Sequence, residues 1–262
     1  TEERINTWCG QIKSAMGIAL RQSQVTNRGL LHDRRWMVCD RNGKFLTQRK
    51  LPKLSLIKVA VDAQLHLSIA GTNSSLTLLA VPDTAQPVDV DVWGDACVAW
   101  FMGDKAAQWL SNFLGIDAQL VYMPDSTHRP TDHGRFETAN SFSDAYPFLL
   151  ISEASLADLN GRLEQPVPMN RFRPNLVVSG CEPFAEDTWK QIKVGDIVFD
   201  VAKSCSRCSI PGVDQATGQQ GKEPLKPLAT YRRWAHAIWF GQNLIAHREG
   251  MLSVGDEVEV LA

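Results

Sequence analysis

Trp36-Met37-Val38-Cys39-Asp40-Arg41-Asn42-Gly43-Lys44-Phe45-Leu46-Thr47 sets the fold class. Two apolar runs flank Asn-Gly, a pair that tolerates the positive φ of a tight turn, so the segment reads as a β-hairpin. Alternation continues on its C-terminal side. Leu65, Leu67 and Ile69 alternate with His66 and Ser68, and Gly71 to Ser75 reads as a turn before Leu76-Thr77-Leu78-Leu79. Val88, Val90 and Val92 alternate with aspartates, and Gly94-Asp95 turns the chain into Cys97-Val98-Ala99-Trp100-Phe101. A period of two buries one face of a sheet, so this half is expected to be mainly antiparallel β.

Helices are fewer. Asp104 is expected to cap one that carries Ala106, Trp109, Leu110, Phe113 and Leu114 and stops at Gly115. A strand at Leu120 to Met123 follows. From Pro124 to about Tyr146 the chain is polar, with His128, Arg129, His133 and Arg135 and no period, as in a functional lid or a linker. The domain boundary is placed at its start, giving units of 1–123 and 124–262. Beyond it, Phe148 to Ile151 reads as a strand and Ser152 as the cap of a helix with Leu156, Leu159 and Leu163 on one face. Val194-Gly195-Asp196-Ile197-Val198 and Val254-Gly255-Asp256-Glu257-Val258 share one pattern, which is either two similar strands closing a domain or recurrent turn chemistry.

Composition excludes several classes. The 262 residues are 44% apolar and 21% charged, an ordinary globular balance. Lys plus Arg is 27 and Asp plus Glu is 29, so a net charge of −2 argues against a nucleic-acid or anionic-membrane binder driven by bulk charge. Six cysteines are too few for a disulfide scaffold in a chain this long, and a reducing compartment fits them. No apolar run has the length of a membrane helix, and Thr1-Glu2-Glu3-Arg4 does not read as a signal peptide.

Chemistry concentrates in Lys203-Ser204-Cys205-Ser206-Arg207-Cys208-Ser209-Ile210-Pro211-Gly212. A structural zinc site needs four ligands, and no second cysteine pair exists. Four roles stay open on spacing alone: that zinc site, a dithiol redox pair, a thiolate ligand to a soft or high-valent metal with Arg207 favouring the anion, and inert thiols in a loop. Asn170-Arg171-Phe172-Arg173-Pro174-Asn175 leads into a buried strand at Leu176 to Val178, setting Arg173 and Asn175 at its entrance. Arginine offers a planar fork for phosphate and asparagine can read a heterocycle edge, although a structural ion pair is the plainer use. Lys13-Ser14, Arg34 and Arg49 are further cations whose convergence one sequence does not reveal. The histidines form no ligand pattern.

Taken in order, these segments resemble the MOSC family, in its branch that reduces amidoximes and other N-hydroxylated bases. The matching segments are Ile12-Lys13-Ser14, Asp33-Arg34-Arg35-Trp36, Thr47-Gln48-Arg49, Ser143-Asp144-Ala145-Tyr146-Pro147-Phe148, Phe172-Arg173-Pro174-Asn175, Cys205-Ser206-Arg207-Cys208, Lys222-Glu223-Pro224-Leu225, Phe240-Gly241-Gln242-Asn243 and Val254-Gly255-Asp256. The resemblance implies an α+β, β-rich fold, with an antiparallel N-terminal β domain on a MOSC β-barrel domain with few helices and a cofactor in the cleft between them. It implies a molybdenum cofactor held through its pterin dithiolene and one cysteine, placed by the motif at Cys208, with Cys205 a neighbour. Cofactor contacts carry over to Lys13, Ser14, Arg34, Arg173, Asn175, Ser206, Arg207 and Cys208, and Asp144 stands with Cys208 as a catalytic candidate near the metal.

Two departures stand out. Cys9-Gly10-Gln11-Ile12 replaces the family's more rigid approach to the Lys-Ser pair, and Ser209-Ile210-Pro211-Gly212 replaces its usual threonine-containing run after the ligand cysteine. The implied activity is reduction of N–O bonds in small N-hydroxylated substrates. No iron–sulfur segment occurs before Ala262, so a separate electron-donor protein is expected, with no nucleic-acid or membrane partner and a cytoplasmic location. The rival expectation is a sulfur carrier or molybdenum-cofactor-handling protein that uses Cys208 as a persulfide or delivery site.

Overall fold

A computed structural model describes residues 3–129 and 139–262. His133 and Arg135 lie outside the described residues. The chain is strand-rich, with three α-helices among the described residues, and the α+β, β-rich expectation holds.

The largest sheet has nine strands. Its path runs Val258–Val260, Gln191–Val194, Ile197–Ser206, Ala237–Ala246, Phe148–Ser152, Leu176–Ser179, Arg4–Cys9 and Ile18–Leu20, with the short Arg233–Trp234 pairing off Ala237–Ala246. Most pairs are antiparallel, but Phe148–Ser152 and Leu176–Ser179 run parallel, with the helix Glu153–Asn160 as their crossover. A five-stranded sheet runs Pro87–Val92, Asp95–Phe101, Gln119–Tyr122, Trp36–Cys39 and Ile12–Lys13. Two three-stranded sheets complete the set, one of Ile57–Val61, Gln64–Ile69 and Ser75–Leu79, the other of Gly250–Ser253, Gln22–Thr26 and Gly29–Leu30.

Strand pairing crosses the boundary placed near residue 124. Arg4 to Thr7 pair with Ser179 to Leu176, and Gln22 to Val25 pair with Ser253 to Gly250. The cores follow the same division. Ile5, Val25 and Leu30 are buried with Phe148, Leu176, Ile192, Phe199, Leu244 and Leu252, whereas Trp36, Leu54, Leu65, Leu110 and Leu120 form a separate core. Within the first thirty residues Arg4–Cys9 and Ile18–Leu20 thus join the nine-stranded sheet and Gln22–Thr26 pairs with Gly250–Ser253, whereas Ile12–Lys13 and Trp36–Cys39 belong to the five-stranded sheet.

Local expectations fared unevenly. The Asn42-Gly43 turn forms, with Asp40 N donating to Lys44 O at 2.9 Å, but its return arm is only a bridge between Cys39 and Phe45. Ser152 caps its helix by accepting from Ser155 N, and the helix ends at Asn160, before Leu163. Asp104 is not a cap. Gly103 holds that position, and Asp104 is the first helical residue, where its charge faces the positive end of the helix. The two Val-Gly-Asp segments lie side by side. Both lead into strands that flank Gln191–Val194, and Gly195 N donates to Glu257 O at 3.1 Å.

Candidate functional site

One cavity of about 440 Å³ opens between the two large sheets, and all nine residues singled out from sequence line it: Lys13, Ser14, Arg34, Asp144, Arg173, Asn175, Ser206, Arg207 and Cys208. Each arrives by a different route. Lys13 ends the edge strand Ile12–Lys13 of the five-stranded sheet, and Ser206 ends the long strand Ile197–Ser206. Cys208 follows on the loop whose Arg207 N donates to Ile238 O at 2.7 Å. Arg173 and Asn175 precede Leu176–Ser179, and Asp144 lies just before Phe148–Ser152. Three of them, Ser14 (φ 68°), Arg34 (φ 50°) and Arg173 (φ 58°), adopt the left-handed backbone that L-residues avoid. Such backbone strain clusters where a site must hold side chains in place.

Charge is the cavity's main chemical property. Among the described residues six cations line it, Lys13, Arg34, Arg49, Arg173, Lys203 and Arg207, against the single carboxylate of Asp144. Asp144 is gripped from three sides: it pairs with Lys13, accepts from Arg49 at 3.0 Å and accepts from the Trp93 indole at 3.1 Å. Burial opposes its charge, yet Lys13 and Arg49 outweigh that and hold the carboxyl well below the ordinary aspartate range. It is therefore a fixed anion and not a proton donor near neutrality. Burial pushes the Lys13 ammonium below its usual value while Asp144 draws it back up. Burial also opposes Arg49, but Asp144 and the Cys208 thiol keep its guanidinium above the usual value.

Arg34 and Arg173, both partly buried, differ. Arg34 pairs with Asp33 and stays above its usual value despite burial. Arg173 donates to Ala15 O and has no carboxylate partner among the described residues; burial and the neighbouring Arg34 bring it down to about 10. Gly10 makes room for it, because a Cβ there would stand 3.0 Å from Arg173 Nη2. Arg207 donates to Phe172 O at 2.8 Å and to Cys205 Sγ at 3.1 Å, and its Nε is buried without a hydrogen-bond partner among the described residues. Partly buried guanidinium groups without a carboxylate partner are stabilised by an anionic ligand.

The remaining candidates divide. Asn175 is committed to the protein: its Oδ1 accepts from Leu149 N at 3.2 Å and from Arg34 at 3.3 Å, and its Nδ2 donates to Trp8 O at 3.4 Å. It orients Arg34 and the strand entrance. Cys205 and Cys208 are both free, partly exposed thiols that line the cavity. The departing run Ser209 to Gly212 folds as a short 3-10 turn, Ile210–Gly212, tied down by Arg171 donating to Pro211 O at 2.8 Å and by Gly221 N donating to Gly212 O at 2.8 Å.

Two contributors were not legible in sequence. Trp93 lines the mouth of the cavity from the Pro87–Val92 hairpin. Arg129, only 3% exposed, donates to the carbonyls of Ser141, Ser143 and Asp144 and pairs with Asp95 at 2.9 Å, fixing the loop that presents Asp144. A Gly-Asp turn was the only signal at the first. A basic residue in a polar stretch was the only one at the second.

A strand-rich chain with a cationic, thiol-bearing cavity between two sheets belongs to the MOSC family: the MOSC domain matches residues 137–259 and the MOSC N-terminal beta barrel domain residues 6–117. The chain is 36% identical to mitochondrial amidoxime-reducing component 1 of Homo sapiens, over 97% of this chain and 81% of that protein. It is 33% identical to the molybdenum cofactor sulfurase of Arabidopsis thaliana, over 94% of this chain but 34% of that one. Among solved structures, the YUAD protein from Bacillus subtilis aligns over 98% of this chain and 96% of that one, at 11% identity and a TM-score of 0.45.

Proposed function

We propose that the protein is a molybdenum-cofactor oxidoreductase that reduces N-hydroxylated compounds, with Cys208 as its ligand to the metal and Arg34, Arg173 and Arg207 as its holders of the cofactor's anionic groups. The observation that carries this reading is the six-to-one excess of cations over carboxylates in the cavity that Cys208 lines. The residues fit such a group. A phosphate-bearing pterin asks for partly buried guanidinium groups without a carboxylate partner, which Arg173 and Arg207 supply, and a high-valent metal asks for one thiolate. When bound, the cofactor would supply two-electron redox chemistry.

The chain's own residues do the rest. Lys13 and Ser14 approach from one sheet, and Arg173, Ser206 and Arg207 from the other, so ligand binding ties the two together. Asp144, held ionised by Lys13 and Arg49, keeps both cations in place, with Arg49 also interacting with the Cys208 thiol. Leu149, Phe172 and Ile210 add apolar lining to the cavity. The similarity to an amidoxime-reducing protein over four-fifths of its length supports the substrate class. The similarity to the sulfurase, over a third of its length, supports cofactor handling more generally.

The test is reduction of benzamidoxime to benzamidine by protein from a cofactor-competent host, with a chemical reductant in place of the donor protein. Product formation that scales with molybdenum content is expected. Molybdenum-loaded protein that forms no benzamidine overturns the proposed activity.

A further inference from the structure

Trp93 and Gly94 form the two-residue turn between Pro87–Val92 and Asp95–Phe101, with φ of 61° and 94°. A hairpin turn with two positive φ values favours Asn, Asp or Gly at its first position, because those residues tolerate the left-handed region. A bulky aromatic residue there costs backbone energy, and the cost persists only where surrounding contacts fix it.

Two of the contacts at Trp93, Arg49 and Asp144, line the cavity with it. The Arg49 guanidinium lies 4.6 Å from the indole, and the Phe45 ring 4.9 Å away. Nε1 donates to Asp144, fixing the ring's azimuth. Even so, the side chain keeps 53% of its exposure while lining the cavity. A ring held on a strained turn, with a guanidinium and a phenyl ring already against it, and still half exposed where it lines the cavity, keeps surface for another flat group. The surrounding cations disfavour a positively charged ligand there. A planar, uncharged group suits it, since aromatic stacking needs no charge.

We propose that Trp93 is the specificity-determining wall of this cavity, against which the ring of a planar, uncharged N-hydroxylated substrate stacks. The proposal rests on the functional reading above and adds to it the shape of the preferred substrate. Because Asn suits the turn, Trp93→Asn removes the ring without straining the hairpin, while Trp93→Phe keeps a ring and removes only the indole donor.

The experiment compares kcat/KM for benzamidoxime and acetamidoxime, which share the reacting group and differ in the ring. Trp93→Asn is expected to lower the benzamidoxime-to-acetamidoxime ratio about tenfold, through KM, on the scale of one stacking contact. Trp93→Phe should restore most of the ratio. An unchanged ratio in Trp93→Asn overturns the proposal, as does a loss in Trp93→Phe equal to that in Trp93→Asn. Calorimetric titration of benzamidoxime separates this outcome from failure of the functional reading. Wild type that binds the compound and reduces neither substrate sinks the activity, and the wall then stands or falls on whether Trp93→Asn weakens binding by about tenfold.

Discussion

Asp144 shows how a single residue's surroundings decide its use. Its carboxyl is held below the ordinary aspartate range by Lys13 and Arg49, so its contribution to stability is fully present above the unfolded value of roughly 4 and is lost as pH falls through the lower folded value. Wild-type stability, followed by denaturant unfolding, should therefore decline between about pH 5 and pH 3 more than that of Asp144→Asn. Parallel declines would show that the pairing adds nothing to folding. The candidates at this scale were legible because motifs carry side-chain chemistry: Cys208, Arg173 and Lys13 stand in recognisable runs. Trp93 was not, since its relation to Asp144 spans 51 positions and no local pattern encodes it. Asn175 was legible as a site residue but not in its role, because hydrogen-bond partners are set by tertiary contact.

At the scale of elements, turn chemistry was the most readable signal and capping the least uniform. Gly43 is required twice over: its φ is 74°, and a Cβ would lie 2.1 Å from Asp89 O. Gly43→Ala should destabilise the protein by about 3 kcal/mol or more, read as a lowered denaturation midpoint, because backbone and not a flexible side chain blocks the methyl group. A shift under about 1 kcal/mol would mean that the turn relaxes freely. Ser152 was legible as a cap because its hydroxyl needs only its own helix. Asp104 was misread because Gly103, with φ of 92°, makes the entry into that helix and leaves the aspartate one position inside.

For the whole molecule, alternation told of sheets but not of which strands share one. Arg4 pairs with Ser179 across 175 positions, a contact that hydrophobic period does not specify. The strand Arg4–Cys9 lies between Leu176–Ser179 and Ile18–Leu20, and Ile5 is buried in the C-terminal core. Residues 124–262 expressed alone should therefore fail to unfold cooperatively, and adding residues 1–30 should be needed to complete the sheet. A cooperative transition in the isolated 124–262 fragment would contradict this. The same interleaving places Lys13 and Arg34 beside Arg173 and Cys208, so the site exists only when both ends of the chain are folded together.

The central claim is that Cys208 holds a molybdenum cofactor in this cavity. Molybdenum content, measured by mass spectrometry on protein purified from a cofactor-competent host, tests it most directly. Near-stoichiometric metal is expected in wild type, most of it is expected in Cys205→Ala, and almost none in Cys208→Ala. Equal molybdenum in wild type and Cys208→Ala, or wild type carrying a persulfide on Cys208 and no metal, would contradict it.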